Sequence, residues 1–485
     1  MSSTYAMVSR RRKIIDVSRS VPVAPAALLL AVLLAGCGLA GCDAGVQGTP
    51  GGSGVRDPYF PRAGNGGYDV THYDLGLAYD PKAGGRLTGK ATVTARATRD
   101  LSAFDLDLRG LEVTDVTVEG RSARWNRAGQ ELTVRPHDDL DKGETFRTTV
   151  RYSGTPQTIT DPDGSKEGWL PTADGALALG EPIGSMTWFP GNHHPSDKAS
   201  YDIAITVPKG LQAVSNGELK SETTTGTRTT YTWHTAEPMA SYVATVAVGH
   251  YDISRSTTPD GLPIYTAVDP TQTAASRKVL ARLPEIMDWA QYNFGPYPFS
   301  STGAIVDRPS DAEYALETQN RPVFPGPPDT ETLVHELAHQ WYGDSVTPKT
   351  WRDMWLNEGF ATYAEWLWDE DHEGDTAEQT FDDLYSHGED DYADLWAFPP
   401  ARPSGPGHIS DTPVYLRGAM VLHKIRRTVG DDTFYDIVQG WAATHRHGNA
   451  DTADFTAYVE KMAPDQDFTG IWKTWLYGEG KPDRP

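Results

Sequence analysis

Glu331-Thr332-Leu333-Val334-His335-Glu336-Leu337-Ala338-His339-Gln340-Trp341-Tyr342 follows Pro327-Pro328 and stops at Gly343. Asp329 or Thr330 can cap this run, and its apolar spacing predicts a helix. On a helix His335 and His339 stand one turn apart on one face. Two imidazoles so placed can bind one Zn²⁺, and Glu336 beside them can take a proton from water that the metal activates. H-E-x-x-H arises by chance in roughly two or three chains per hundred of this length. Taken alone it is moderate evidence, since two histidines on a helix surface give the same pattern.

A second helical run removes that balance. In Trp355-Leu356-Asn357-Glu358-Gly359-Phe360-Ala361-Thr362-Tyr363-Ala364-Glu365, Glu358 comes eighteen intervening residues after His339. His335, His339 and Glu358 make three ligands for one Zn²⁺ per chain and leave a fourth position open, the mark of a catalytic site. Water bound there has a pKa near ~7 instead of ~15.7, so Glu336 can accept its proton as it attacks a carbonyl. The reaction class expected is metal-assisted amide hydrolysis. Glu365, seven residues beyond Glu358, falls on the same helix face and can orient a ligand histidine.

From Val334 to Glu365 the sequence resembles the M1 family of zinc aminopeptidases, a gluzincin family, with Asp344 where the family pattern has Asn. Tyr314-Ala315-Leu316-Glu317-Thr318 corresponds to the family's Gly-x-Met-Glu-Asn motif, which recognises the substrate's free amino group. Three of its four fixed positions differ and the Glu is retained, so the resemblance implies that Glu317 binds the amine. It implies a second amine-binding carboxylate at Glu181, upstream of the Phe189-Pro190 turn. His193 stands where the family usually has Asp; His193 and His194 read as loop structure, since the metal's ligands are already supplied. The family's oxyanion-stabilising Tyr matches Tyr415 in Tyr415-Leu416-Arg417-Gly418-Ala419, and a phenol can donate that hydrogen bond without being consumed. The resemblance covers roughly residues 57 to 480. It implies an α+β fold in which an N-terminal antiparallel β domain precedes a mainly helical, thermolysin-like catalytic domain. Many M1 enzymes continue into a large helical domain; without one, a more open cleft is expected.

The rest of the chain fits that division. Alternating runs such as Tyr201-Asp202-Ile203-Ala204-Ile205-Thr206-Val207 recur over 68–255 and predict the β domain, while helical spacing governs 256–485. Residues 37–67 are rich in Gly, Pro and Ser and read as a flexible tether. Residues 1–36 have a basic start, Arg10-Arg11-Arg12-Lys13, and an apolar centre too short to span a bilayer, the layout of a secretory signal. Cys37 and Cys42, the only cysteines of the chain, each follow Leu-Ala-Gly. That resembles a bacterial lipobox and predicts lipidation of one of them, with the protein held on the outer face of the cell membrane.

Lys and Arg total 43 against 66 Asp and Glu, a net charge of −23 that becomes −27 once five basic residues and one acid leave with residues 1–36. With no basic stripe, nucleic acid is excluded as a partner, and attachment to anionic lipid has to come from acyl chains. The acidic stretch 369–394 reads as a solvated helix face or loop, its spacing fitting no calcium loop. The expected protein is an exported, lipid-anchored, monomeric aminopeptidase acting on peptides with free N-termini. The alternatives are a zinc endopeptidase of the thermolysin-like class and a catalytically silent surface binding protein. The first has no use for Glu181 and Glu317; the second is expected to have lost Glu336, Glu358 or Tyr415.

Overall fold

The computed structural model describes residues 48–308 and 312–483. The signal segment, Cys37 and Cys42 lie outside the described residues, and no helix among the described residues is long and apolar enough to cross a membrane.

The β domain is built on an eight-stranded sheet, in which Tyr68–Asp80 lies between Arg86–Ala97 and Lys198–Pro208. Alternation along Tyr68–Asp80 buries Tyr73, Leu75, Leu77 and Tyr79 and leaves the residues between them toward solvent. All pairings in this sheet are antiparallel except one: Lys198–Pro208 runs parallel to Tyr68–Asp80, with Tyr201 opposite Tyr73. A five-stranded sheet holds Thr158–Thr160, Lys166–Pro171 and Ala176–Leu179. Ala176–Leu179 is buried throughout, so its pattern is continuous rather than alternating.

The described part of the expected tether is fixed in place. Thr49–Pro50 pairs in parallel with Leu101–Asp107, and Gly51 N donates to Ala103 O at 2.8 Å. The glycines of this segment serve close approach of backbones rather than flexibility: a Cβ on Gly51 would lie 2.5 Å from Gly66 O. Further along, the buried Asp57 carboxylate accepts from Tyr59 N, from Phe60 N and from Trp351 N at 2.9 Å, and His194 Nε2 lies 3.2 Å away. One carboxylate thus joins the N-terminal segment, the β domain and the catalytic domain. His193 and His194 are indeed loop structure. His193 Nε2 meets Phe189 O at 3.0 Å, and burial lowers its pKa to about 4.

The catalytic domain opens on a four-stranded sheet, Asp252–Thr257, Pro263–Val268, Thr302–Val306 and Val323–Phe324. Helices follow. Trp355–Asp371 is buried from Trp355 to Ala364 and packs against Thr330–Ala338 and Gly418–Val429. It meets the latter at a pair of glycines: a Cβ on Gly359 would lie 2.9 Å from the Gly418 carbonyl carbon. Only glycine allows the helices to come this close, which brings the turn before Gly418 onto the helix of Glu358. The acidic stretch forms helix Ala377–Asp391, capped by Thr376 and Gln379, with Asp383, Glu389, Asp390 and Asp391 exposed.

Candidate metal centre and active site

Asp329 caps the helix Thr330–Ala338 by accepting from Thr332 N at 2.8 Å, as the sequence requires. His335 and His339 leave it on one face, their rings edge to face with centroids 4.7 Å apart. From the helix Trp355–Asp371, Glu358 Oε2 reaches both, 3.3 Å from His335 Nε2 and 3.4 Å from His339 Nε2. The other ring nitrogens are held from behind. His335 Nδ1 lies 2.6 Å from Glu365 Oε1 and His339 Nδ1 lies 3.0 Å from Tyr342 O, so each ring can present Nε2 to a common point.

Burial opposes charge at all three residues, and their mutual attraction overcomes it. His339 is lifted to about 9 by the Glu358 and Glu317 carboxylates, and Glu358 falls to about 2 between the two imidazoles. Two imidazoles and a carboxylate within 4.8 Å of one another stabilise positive charge at one point. A Zn²⁺ ion fits this donor set.

Around this point stand four further groups. Glu336 is buried, its Oε2 meets no hydrogen-bond partner among the described residues, and burial lifts it to about 8 despite the nearby imidazoles. Its carboxylate, that of Glu317 and His339 lie within 4.8 Å of one another, as do those of Glu181, Glu317 and Glu358. The ring of Tyr415 lies parallel to that of His335 at 6.0 Å. Burial first, then the carboxylates of Glu358 and Glu181, hold its hydroxyl in the protonated, donor form. Tyr415 sits on the turn Pro413–Arg417 that the Gly359–Gly418 contact brings close. Every site residue expected from the sequence within the described range is therefore in this one cluster.

The Glu317 loop is fastened from two sides. Gln340, next to His339, donates through Nε2 to Glu317 O at 3.3 Å and accepts through Oε1 from Asn320 N. From the β domain Asn216 Nδ2 donates to Gln319 O, while Arg321 donates to Ser215 O and Gly217 O. Asp344 is fully buried, and burial first, then the Glu317 charge, push its pKa well above the ordinary carboxylate range, favouring the neutral acid. A neutral acid there is nearly isosteric with the Asn of the family pattern. Lys198, whose pKa burial lowers to about 7, donates to the backbone oxygens of Asp344 and Ser345. Tyr242 escaped sequence reasoning: its hydroxyl donates to Gly343 O at 3.0 Å and accepts from Asn357 Nδ2 at 3.3 Å, joining the ends of the two segments that carry the candidate ligands. No local pattern marks it among 22 tyrosines.

Residues 70–243 match the Peptidase M1 N-terminal domain and residues 327–475 the Peptidase family M1 domain. Probable aminopeptidase 2 of Sulfurisphaera tokodaii is 25% identical over 78% of this chain and 50% of its own length. Glutamyl aminopeptidase of Rattus norvegicus is 25% identical over 85% of this chain and 47% of its own. The chain thus spans about half the length of these curated relatives. An M1 zinc metallopeptidase from Deinococcus radiodurans is closer in extent: its crystal structure aligns with a TM-score of 0.80 and 30% identity, covering 89% of this chain and 98% of that one. A variant of the Deinococcus protein was solved with a Tyr-Ser-Ala substrate and aligns with a TM-score of 0.81 at 29% identity, over 89% of this chain and 99% of its own.

Proposed function

The chain belongs to the M1 family of zinc metallopeptidases, and from that premise we propose that it is a zinc aminopeptidase releasing single N-terminal residues from peptides. The observation that carries this reading is the carboxylate triplet Glu181, Glu317 and Glu358, within 4.8 Å of one another beside the two imidazoles. Three acids so close together, Glu317 and Glu358 buried and Glu181 half-buried, favour a cation between them, and a substrate ammonium held by Glu181 and Glu317 supplies one. A zinc ion held by His335, His339 and Glu358 supplies Lewis-acid activation of water and of the scissile carbonyl.

The chain's own residues do the rest. Glu336 accepts the proton of the attacking water as its oxygen bonds to the carbonyl carbon, and delivers it to the amine nitrogen as the C–N bond breaks. Tyr415 donates its hydroxyl proton in a hydrogen bond to the oxygen on which negative charge develops. Glu365 and the Tyr342 carbonyl keep the imidazoles oriented. Because the ammonium sits one residue from the scissile bond, the acids block any longer N-terminal chain. Acetylating the amine strands two dehydrated carboxylates, a penalty on the order of 2–5 kcal/mol, or ~30- to several-thousand-fold in kcat/KM. Comparing free and N-acetylated aminoacyl substrates tests this, and mass spectrometry showing internal fragments from an acetylated peptide at the rate of the free one overturns it.

The N-terminal sequence supports export, lipidation at Cys37 or Cys42 and residence on the outer membrane face; the chain is taken as a monomer. Palmitate labelling of the full chain, lost when both cysteines become Ser, is expected. Full membrane retention of that double variant, with no label in the wild type, excludes the anchor.

A further inference from the structure

The β-domain hairpin of Thr158–Thr160 and Lys166–Pro171 reaches three segments of the site. Glu167 is fully buried, and its Oε2 accepts from Ile183 N at 3.1 Å and Gly184 N at 2.6 Å, just past Glu181. These N–H groups begin the turn Gly184–Thr187, whose own preceding residue makes no side-chain cap, so the cap comes from the neighbouring strand. The fit is close, since a Cβ on Gly184 would lie 2.7 Å from Glu167 Oε2. The carbonyl of Lys166 accepts from Tyr314 OH at 2.9 Å, and Tyr314 begins the motif that carries Glu317. At the hairpin loop, a Cβ on Gly407 would lie 3.1 Å from Pro162 O, so the same hairpin abuts the segment leading to Tyr415.

On its other side Glu167 faces the buried carboxyl of Asp161. Burial raises both acids, Asp161 to about 6, and the neighbouring Asp161 adds to the rise at Glu167. An apolar residue would be buried in this strand at lower cost. What the carboxyl adds is a fixed direction for the backbone after Glu181.

We infer that Glu167, together with Tyr314, is a positioning residue that sets the relative placement of Glu181 and Glu317 from one strand of the β domain. The inference rests on the aminopeptidase reading, because those two acids are the proposed ammonium ligands. Displacement of a binding group by about 1 Å can cost ~10²-fold.

The test measures kcat and KM for a free and an N-acetylated aminoacyl substrate with the zinc-loaded full chain. Glu167→Ala is expected to lower kcat/KM on the free amine by at least ~10-fold, mainly through KM, while the acetylated substrate changes less than ~3-fold. A loss from general destabilisation would lower both alike. Glu167→Gln is expected to recover most of the discrimination: its amide oxygen can accept from Gly184 N and its NH₂ can donate to the facing Asp161 carboxyl. In a Glu181→Gln background the Glu167→Ala effect should largely vanish. Unchanged discrimination in Glu167→Ala, or full multiplication of its effect with Glu181→Gln, overturns the inference. Should Glu167→Ala not fold, Tyr314→Phe, which removes one hydrogen bond, must by itself raise KM on the free amine about 3-fold; unchanged constants overturn the inference equally. A wild type indifferent to acetylation, or a Glu181→Gln variant that discriminates as well as wild type, instead overturns the aminopeptidase reading.

Discussion

Glu365 Oε1 lies 2.6 Å from His335 Nδ1, while the other nitrogen of that ring faces Glu358 across 3.3 Å. One helix therefore carries both the candidate ligand Glu358 and the group placed to orient His335. Glu365→Ala should weaken zinc affinity about 10- to 100-fold, the usual scale for loss of such support. Competition with a chelator reads this directly, and an unaltered affinity would detach Glu365 from the metal.

Glu358 and Glu336 should separate metal binding from chemistry. Elemental analysis after dialysis is expected to find one zinc in the wild type and in Glu336→Gln, and much less in Glu358→Ala. In Glu336→Gln kcat should fall at least ~10²-fold with zinc retained, because the base is gone and the ligands are not. Wild-type turnover in that variant would remove Glu336 from the mechanism.

Tyr415 stacks on His335 yet bonds to none of the ligands, so its hydroxyl is expected to matter only as charge develops on the substrate oxygen. Tyr415→Phe should keep its zinc and lose roughly 10² to 10³ in kcat with KM little changed. A proportionate rise in KM would instead make Tyr415 a ground-state binding group.

Asp57 is the joint of the N-terminal segment, and removing it leaves buried N–H groups without an acceptor. Asp57→Ala should destabilise by about 3–5 kcal/mol, as expected for breaking a buried, hydrogen-bonded charge. Denaturant unfolding checks this. A change below ~1 kcal/mol would mean that residues 48–67 contribute little to the fold.

His193 gives a pH dependence of known sign. Burial lowers its folded pKa to about 4, below the ordinary 6.5, so the folded state favours the neutral ring. Its contribution is complete above about pH 6.5 and is lost as pH falls toward 4, by about 3 kcal/mol at 1.36 kcal/mol per pH unit. His193→Gln should flatten the fall in thermal stability between pH 7 and pH 4.5. An unchanged slope would assign the acid lability to other groups.

The candidate site is legible in the sequence where its residues are local in the chain. His335, Glu336 and His339 share one turn, and Glu358 and Glu365 share one helix face, so helical period places them without tertiary information. Residues 48–67 misled for an equally physical reason. Glycine-rich composition is the same whether the chain is free or is threaded between backbones too close for a Cβ, and only the neighbours, such as Gly66 O against Gly51, tell the two apart.

By itself the sequence marked the candidate metal ligands, the candidate general base and the order of a β domain before a helical one, because each follows from period, spacing and polarity along a short stretch. The tertiary structure alone decided how Glu181, Glu317 and Tyr415, from three distant segments, come to stand around those ligands. That depends on contacts with no sequence period: a glycine pair where two helices cross, Asn216 and Arg321 reaching across the domain boundary, and a buried Glu167 whose partners are backbone N–H groups that any residue could have supplied.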